Sequence, residues 1–323
     1  MFKLVTKIAA TAVVAISVPA VAETVWDMPT PYSDAVFHTA NIHQFAADVK
    51  AATGGELVIK VHSAGALFKH KEIKGAIRSG QVPVGEFFMG LLANENPVFG
   101  MDTLPFLATD YNSAAKLWKI TRPAAETQFG KQGLQVLFSV PWPPQGLYAK
   151  KAINTASDLK GLKFRAYNAN TTRMAELSGA APTQIETADL SQAFATGRVD
   201  AMITSPSTGV SSKAWDFLSH FHHIQAWIPK NVVVVNKKAL ARLDAKTRKA
   251  VLDAAAKAEA RGWKSSQAET DEKIATLKKN GVSIMTPSDG LMASLKDIGK
   301  TMGKEWVAKA GADGKALLDS YAK

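Results

Sequence analysis

Between Pro141 and Gly146 the chain reads PWPPQG, three prolines within four positions, flanked on both sides by strand-like runs. Proline has no N–H to give a ladder and fixes φ, so such a segment cannot lie inside a sheet. It has to carry the chain from one structural unit to another, and the two units it separates have the same texture. Upstream, the strand patterns TVWDM (24–28), ELVIKVH (56–62), VPVGEFF (82–88) and LQVLFSV (134–140) alternate with helical patterns at 33–55, 70–80 and 113–130. In the first of these helices Ile42, Phe45, Ala46 and Val49 recur at i, i+3, i+4 and i+7, an apolar stripe, with Ser33 or Asp34 as the expected N-cap and Gly54-Gly55 as the stop. Downstream, LYAKKA, LKFRAYN, APTQI and VDAMITS alternate with TTRMAELSG and DLSQAFATG, and HIQAWIP leads into NVVVVN (231–236). From Lys237 the chain is helical almost to its end, broken only by VSIMTP (282–287). This alternation predicts an α/β fold of two lobes with parallel sheets covered by helices on both faces. The expected division is 23–142 plus 231–270 for lobe I and 143–230 plus 271–323 for lobe II. A cleft between such lobes collects strand ends and helix N-termini, and ligands bind there.

The N-terminus bears on compartment. Lys3 and Lys7 precede an apolar run, Ile8–Val18, too short to span a bilayer, and Ala20–Ala22 offers the small residues a signal peptidase reads. The expectation is a cleaved signal peptide over 1–22, a chain exported to the periplasm and no membrane-embedded segment. There is no cysteine, so an exported chain of this kind is held together by its core, and thiol catalysis, Fe–S clusters and thiolate zinc sites are excluded. The net charge is +11, and subtracting Lys3 and Lys7 leaves +9. The basic residues are spread along the C-terminal helices rather than clustered, which reads as solvated helix faces. No nucleic-acid partner is expected, although a positive field would draw in a small anion.

No G-x-S-x-G, P-loop, G-x-G-x-x-G or H-E-x-x-H occurs, and an enzyme built on Glu86 and a histidine would lack a nucleophile or metal constellation. The expectation is no catalytic residue, no cofactor and no metal. HFHH (220–223) puts His220 and His222 on one strand face but has no acidic neighbour and reads as a polar strand edge. Glu86 interrupts the apolar VGEFFMG, and because a buried carboxylate needs a partner or a function it is counted among the ligand-binding candidates. Asp102 reads as a turn cap. Arg165, in LKFRAYN, is different: arginine lies inside an apolar strand only when its donors are used, and its fork matches one carboxylate. On these residues alone, a structural ion pair and a ligand anchor both fit. Asn168, Asn170, Thr171 and Thr172 follow, as further hydrogen-bonding groups or, for Thr171 or Thr172, as a helix cap.

SAGALFKHKEIKGAIRSGQVPVG, DTLPFL, SDLKGLKFRAYNA and ATGRVDAMIT together resemble the solute-binding proteins of tripartite ATP-independent periplasmic (TRAP) transporters, the DctP-like family, from about Thr24 to the C-terminus. The resemblance implies a periplasmic binding protein fold with a long helix spanning both lobes, here around Asp244–Leu277. It implies that Arg165 grips a ligand carboxylate and that Asn168 faces the pocket. A second arginine of the sialic-acid branch is replaced by Gln145, and the asparagine segment of that branch by DAMITSPS, which leaves Thr204 and Ser205 nearest. These departures argue against a sugar acid and against a second ligand carboxylate. Phe88 and its neighbour Phe87, Trp142, Trp215 and Trp227 supply aromatic surface near the expected cleft. The expected ligand is therefore a small organic anion, a monocarboxylate with an aromatic or a 2-keto or 2-hydroxy body. The implied partners are the membrane permease subunits of the transporter, and the receptor itself is expected to be a monomer.

Overall fold

The computed structural model describes residues 23–323; the signal-peptide expectation for 1–22 lies outside them. In chain order the first elements are β1 (Thr24–Pro29), α1 (Phe37–Ala52), β2 (Leu57–His62), α2 (His70–Ser79), β3 (Val84–Phe88), α3 (Tyr111–Gly130) and β4 (Leu134–Pro141). Beyond the proline segment come β5 (Gly146–Ala149), β6 (Lys163–Ala166), α4 (Ala169–Leu177), β7 (Ala181–Gln184), α5 (Leu190–Ala195), β8 (Ala201–Thr204), α6 (Pro206–Ser211) and β9 (His220–His222). The chain then returns through β10 (Lys230–Asn236) and α7 (Lys237–Ala241) to α8 (Ala245–Lys279), β11 (Ser283–Met285) and α9 (Asp289–Ala322).

Lobe I holds the parallel pair β1-β2 and the sheet β3-β10-β4; lobe II holds the sheet β11-β9-β5-β8-β6-β7. The sheets are not purely parallel, which corrects the sequence expectation. β10 runs antiparallel to both β3 and β4, and β5 antiparallel to β8 and β9. The cause is the crossing itself: β5 and β10 each start at the cleft, where the chain arrives from the other lobe, whereas β3, β4, β6 and β8 end there. The two crossings are bonded to one another, Trp142 N–H to Pro229 C=O at 2.8 Å and Gln145 N–H to Trp227 C=O at 3.0 Å.

The α1 stripe is as read, with Ile42, Phe45, Ala46 and Val49 buried, but the helix starts at Phe37 with no side-chain cap, because Asp34 is paired with His43 at 3.0 Å instead. α8 has 35 residues, about 52 Å at 1.5 Å per residue, and serves both lobes. Its first half packs on α1, where Asn41 donates to Ala258 C=O at 3.0 Å, and its second half reaches lobe II, where Ser207 donates to Glu269 at 2.7 Å and Leu277 enters the core. The assignment of all of 271–323 to lobe II is too simple. Leu291, Leu295 and Met302 of α9 do enter the lobe II core, but Trp306 packs with Met101, Leu104 and Leu117 and donates to Pro97 C=O at 2.9 Å, on lobe I. An amphipathic helix longer than one lobe buries its stripe against whatever each turn meets.

Where α8 crosses β4, Gly262 removes the side chain altogether. A Cβ there would lie 2.4 Å from one methyl of the buried Val140 and 2.9 Å from the Asn41 amide that holds α1 to α8. Gly262→Ala gains about 1 kcal/mol of helix propensity and forces strain of about 1–3 kcal/mol on a full core. A lowered urea midpoint with an unchanged m-value is the expected result; an equal or higher midpoint would show that α8 has room to move off β4.

Candidate functional site

One cavity lies where the strand ends of both lobes meet. From lobe II it takes Arg165 and Tyr167 at the end of β6, Glu186 and Thr187 after β7, Thr204, Ser205 and Thr208 after β8, and Gln145 just before β5. From lobe I it takes Tyr32 after β1, His70 at the start of α2, Phe88 at the end of β3, Trp142 after β4 and Pro229 just before β10. The atom-free space is about 400 Å³, the mouth included. Contacts across the cleft close it: the Phe88 and Tyr167 rings meet edge to face at 5.5 Å, and His70 Nδ1 lies 3.3 Å from Glu186 Oε2.

Arg165 is 2% exposed. Its Nε donates to Ile185 C=O at 3.0 Å, Nη2 reaches the Thr187 hydroxyl at 3.5 Å, and the guanidinium sits over the Tyr167 ring, 4.8 Å from its centroid. No carboxylate among the described residues comes within ion-pair distance of it, so the structural salt bridge left open by the sequence is absent. Nη1 makes no hydrogen bond to any described residue. Buried charges are ordinarily paired, and burial brings this guanidinium down to about 10 despite the opposing pull of Glu186 and the nearby tyrosines. It stays cationic at neutral pH, with unused donors facing the cavity.

The polar wall beside it is partly committed. Trp227 Nε1 donates to the Tyr167 hydroxyl at 2.9 Å, which donates to Gln145 Oε1 at 3.3 Å, while Gln145 Nε2 gives one hydrogen to Pro143 C=O at 2.8 Å. Gln145 keeps a second amide hydrogen, and the Thr204 hydroxyl has no partner among the described residues. Burial raises Tyr167 beyond the ordinary phenol range, although the Trp227 bond acts against this, so its proton stays on. Glu186 goes the other way: burial raises it, but the His70 hydrogen bond and Lys71 outweigh that and leave it lowered and ionised.

Of the residues singled out from the sequence, Arg165, Gln145, Phe88, Trp142, Thr204 and Ser205 line this cavity, and Glu86, Asn168, Trp215 and Trp227 do not. Glu86 lies beneath its floor, accepting from Thr30 at 2.6 Å and from Asn231 Nδ2 at 3.0 Å; Asn231 Oδ1 in turn accepts from Trp142 Nε1 at 2.8 Å and Tyr32 at 3.2 Å. The carboxylate therefore orients two wall aromatics without reaching the space. Asn168 is the N-cap of α4, accepting from Thr171 N–H at 2.9 Å, so the cap falls to it rather than to Thr171 or Thr172. Trp227 is fully buried and acts only through Tyr167, and Trp215 packs in the lobe II core beside α5 and α6. Phe87 points into the lobe I core against Phe129 because neighbours on a strand face opposite ways. His222 accepts from Ile153 N–H at 3.1 Å, a use inside lobe II. Tyr32, His70, Tyr167, Glu186, Thr187, Thr208 and Pro229 were not anticipated. Only Tyr167 left a signal, two positions beyond Arg165 on the same side of the strand.

The profile of the family described as "Bacterial extracellular solute-binding protein, family 7" (DctP) matches residues 30–309. Among solved structures, a Bordetella pertussis extracytoplasmic solute receptor, DctP7, described as binding pyroglutamic acid, is 48% identical, with a TM-score of 0.91 over 93% of this chain and 100% of that one. A marine-metagenome TRAP solute-binding protein described as specific for pyroglutamate is 41% identical, with a TM-score of 0.91 over 93% of this chain and 99% of that one. A curated protein named "Solute-binding protein" from Albidiferax ferrireducens is 22% identical over 84% of this chain and 82% of its own length. Among the described residues no helix is long and apolar enough to cross a membrane.

Proposed function

Because the chain belongs to the bacterial extracellular solute-binding protein family 7, we propose that it is the periplasmic receptor of a TRAP transporter and that its ligand is pyroglutamate or a close lactam monocarboxylate, delivered to a membrane permease. The observation that carries this reading is the buried Arg165 guanidinium, without a counter-ion, at the end of β6 in a small two-walled cavity. One carboxylate fills the fork and restores the missing charge partner. Among the described residues no second arginine or lysine lines the cavity, and Gln145 on the polar wall beside Arg165 is uncharged, so one carboxylate is all the site has cations for. The lactam C=O suits the spare donors of Gln145 and Thr204, and the ring suits Phe88 and Trp142. The two relatives described as pyroglutamate binders support the same ligand. This keeps the expected monocarboxylate and replaces the expected aromatic or 2-keto or 2-hydroxy body, because much of the aromatic surface counted toward it lies outside the cavity.

Thermal unfolding with L-pyroglutamate, succinate, sialic acid and phenylpyruvate tests the reading. A ligand at 100 times its Kd adds about 2.7 kcal/mol of stability, so pyroglutamate should raise the melting temperature while the others leave it in place. An unchanged melt in millimolar pyroglutamate would rule out this ligand.

A further inference from the structure

We propose that Glu186 sets the specificity of this cavity: it accepts an N–H from the ligand atom next to the carboxylate-bearing carbon, and its charge turns dicarboxylates away. The inference rests on the ligand class given under Proposed function and names the residue that selects within it. Ile185 and Thr187 hold the Arg165 guanidinium from either side of Glu186 in sequence, through the Ile185 carbonyl and the Thr187 hydroxyl. The backbone at Glu186 is extended, φ −68° and ψ 155°. The short stretch that carries the one carboxylate among the described residues lining the cavity thereby also holds its arginine, so a ligand seated on Arg165 presents its neighbouring atoms to Glu186.

The hydrogen bonding at Glu186 fixes what it can accept. Phe88 N–H donates to His70 Nε2 at 3.0 Å, so that nitrogen carries a lone pair. With Nε2 accepting, the ring proton is on Nδ1, which lies 3.3 Å from Glu186 Oε2. Oε1 lies 3.4 Å from Lys71 Nζ but makes no hydrogen bond, although the atom is out of solvent. Oε2 thus faces the Nδ1 side of His70 from lobe I, and Oε1 retains acceptor capacity. A lactam N–H completes it. A second ligand carboxylate would instead bring two anions together, with only the half-exposed Lys71 to offset them.

Glu186→Gln separates this from a packing role. His70 Nδ1–H still demands an acceptor, so the glutamine turns its C=O to His70 and its NH₂ to the ligand. A donor then meets the lactam N–H, while a ring oxygen at that place becomes acceptable. Calorimetric titration would use L-pyroglutamate, its lactone counterpart 5-oxotetrahydrofuran-2-carboxylate, in which oxygen replaces N–H, and glutarate. The wild type should prefer lactam over lactone at least thirtyfold; Glu186→Gln should reduce that ratio at least tenfold and gain at least tenfold for glutarate. Glu186→Ala serves as a second variant, should the glutamine protein fold poorly, and should shift both readings in the same direction. If the wild type binds pyroglutamate and both variants keep the lactam-to-lactone ratio and still reject glutarate, the role of Glu186 is overturned. If the wild type does not bind pyroglutamate, the ligand reading falls instead.

Discussion

Arg165→Ala is expected to weaken pyroglutamate binding by about 2–5 kcal/mol or more, roughly thirtyfold to several thousandfold, while leaving the ligand-free protein folded. Both halves follow from the same geometry. In the closed cavity the guanidinium is 2% exposed and has a backbone carbonyl, a distant hydroxyl and an aromatic face, but among the described residues no anion within ion-pair distance. Its desolvation is already borne in the empty protein, which is why burial brings it down to about 10, and the incoming carboxylate offsets it. Removing the side chain removes the ligand's main electrostatic partner. It also removes a buried unpaired charge from the apo state, at the expense of one donor to Ile185 C=O, worth about 1 kcal/mol. The apo melting temperature should therefore stay level or rise. Arg165→Lys should bind nearly as poorly as alanine, since a point charge has neither the fork nor the Nε that Ile185 fixes. Near-wild-type affinity in either variant, measured by titration calorimetry, would remove Arg165 from the role of anchor.

The contrast between what the sequence announced and what it concealed follows from which atoms carry the information. Arg165 was conspicuous because it interrupts an apolar strand pattern of period two, but its part as a carboxylate anchor came from the family resemblance rather than from the pattern. Trp142 was legible because three prolines mark a crossing, and a crossing between lobes borders the cleft. The two-lobed architecture was legible for the same reason. The direction of β10 was not, since apolar runs such as NVVVVN read alike both ways and direction depends on where the chain re-enters the lobe. Glu186 and His70 stood in ordinary polar stretches, and each matters only because the start of α2 in lobe I and the loop after β7 in lobe II bring His70 Nδ1 within 3.3 Å of Glu186 Oε2. Glu86 was read as a ligand-binding candidate because a carboxylate in an apolar stretch needs a partner, but the partners it has, Thr30 and Asn231, lie 56 and 145 positions away. Spacing rules act over a few residues and cannot see such pairs.

Asp102 shows this limit most sharply and carries the largest expected effect on stability. Its sequence context reads as a turn cap, yet it is 5% exposed and faces the wholly buried Lys230, 128 positions away. Lys230 Nζ lies 3.2 Å from Asp102 Oδ2, and the Lys230 backbone N–H donates to the same oxygen at 3.0 Å. The pair fastens the first residue of β10, next to the cavity residue Pro229, to lobe I. Lys230→Met leaves the Asp102 carboxylate buried without its cation, and breaking such a pair from one side is expected to destabilise by about 3–5 kcal/mol at neutral pH. Replacing both partners, as in Asp102→Asn with Lys230→Met, should recover most of that, because the loss is an orphaned charge rather than a missing bond. The pH dependence supplies the sign. Burial already raises Asp102 above the usual carboxylate range, with Lys230 the main opposing influence, so removing Lys230 raises it further. The folded variant then binds more protons than the unfolded chain between about pH 4 and the raised folded value, and stability falls as pH rises through that window. Urea unfolding of Lys230→Met should therefore show a smaller deficit against wild type at pH 5 than at pH 7.5. An equal deficit at both would mean that the loss comes from packing around the lysine stem and not from the charge on Asp102.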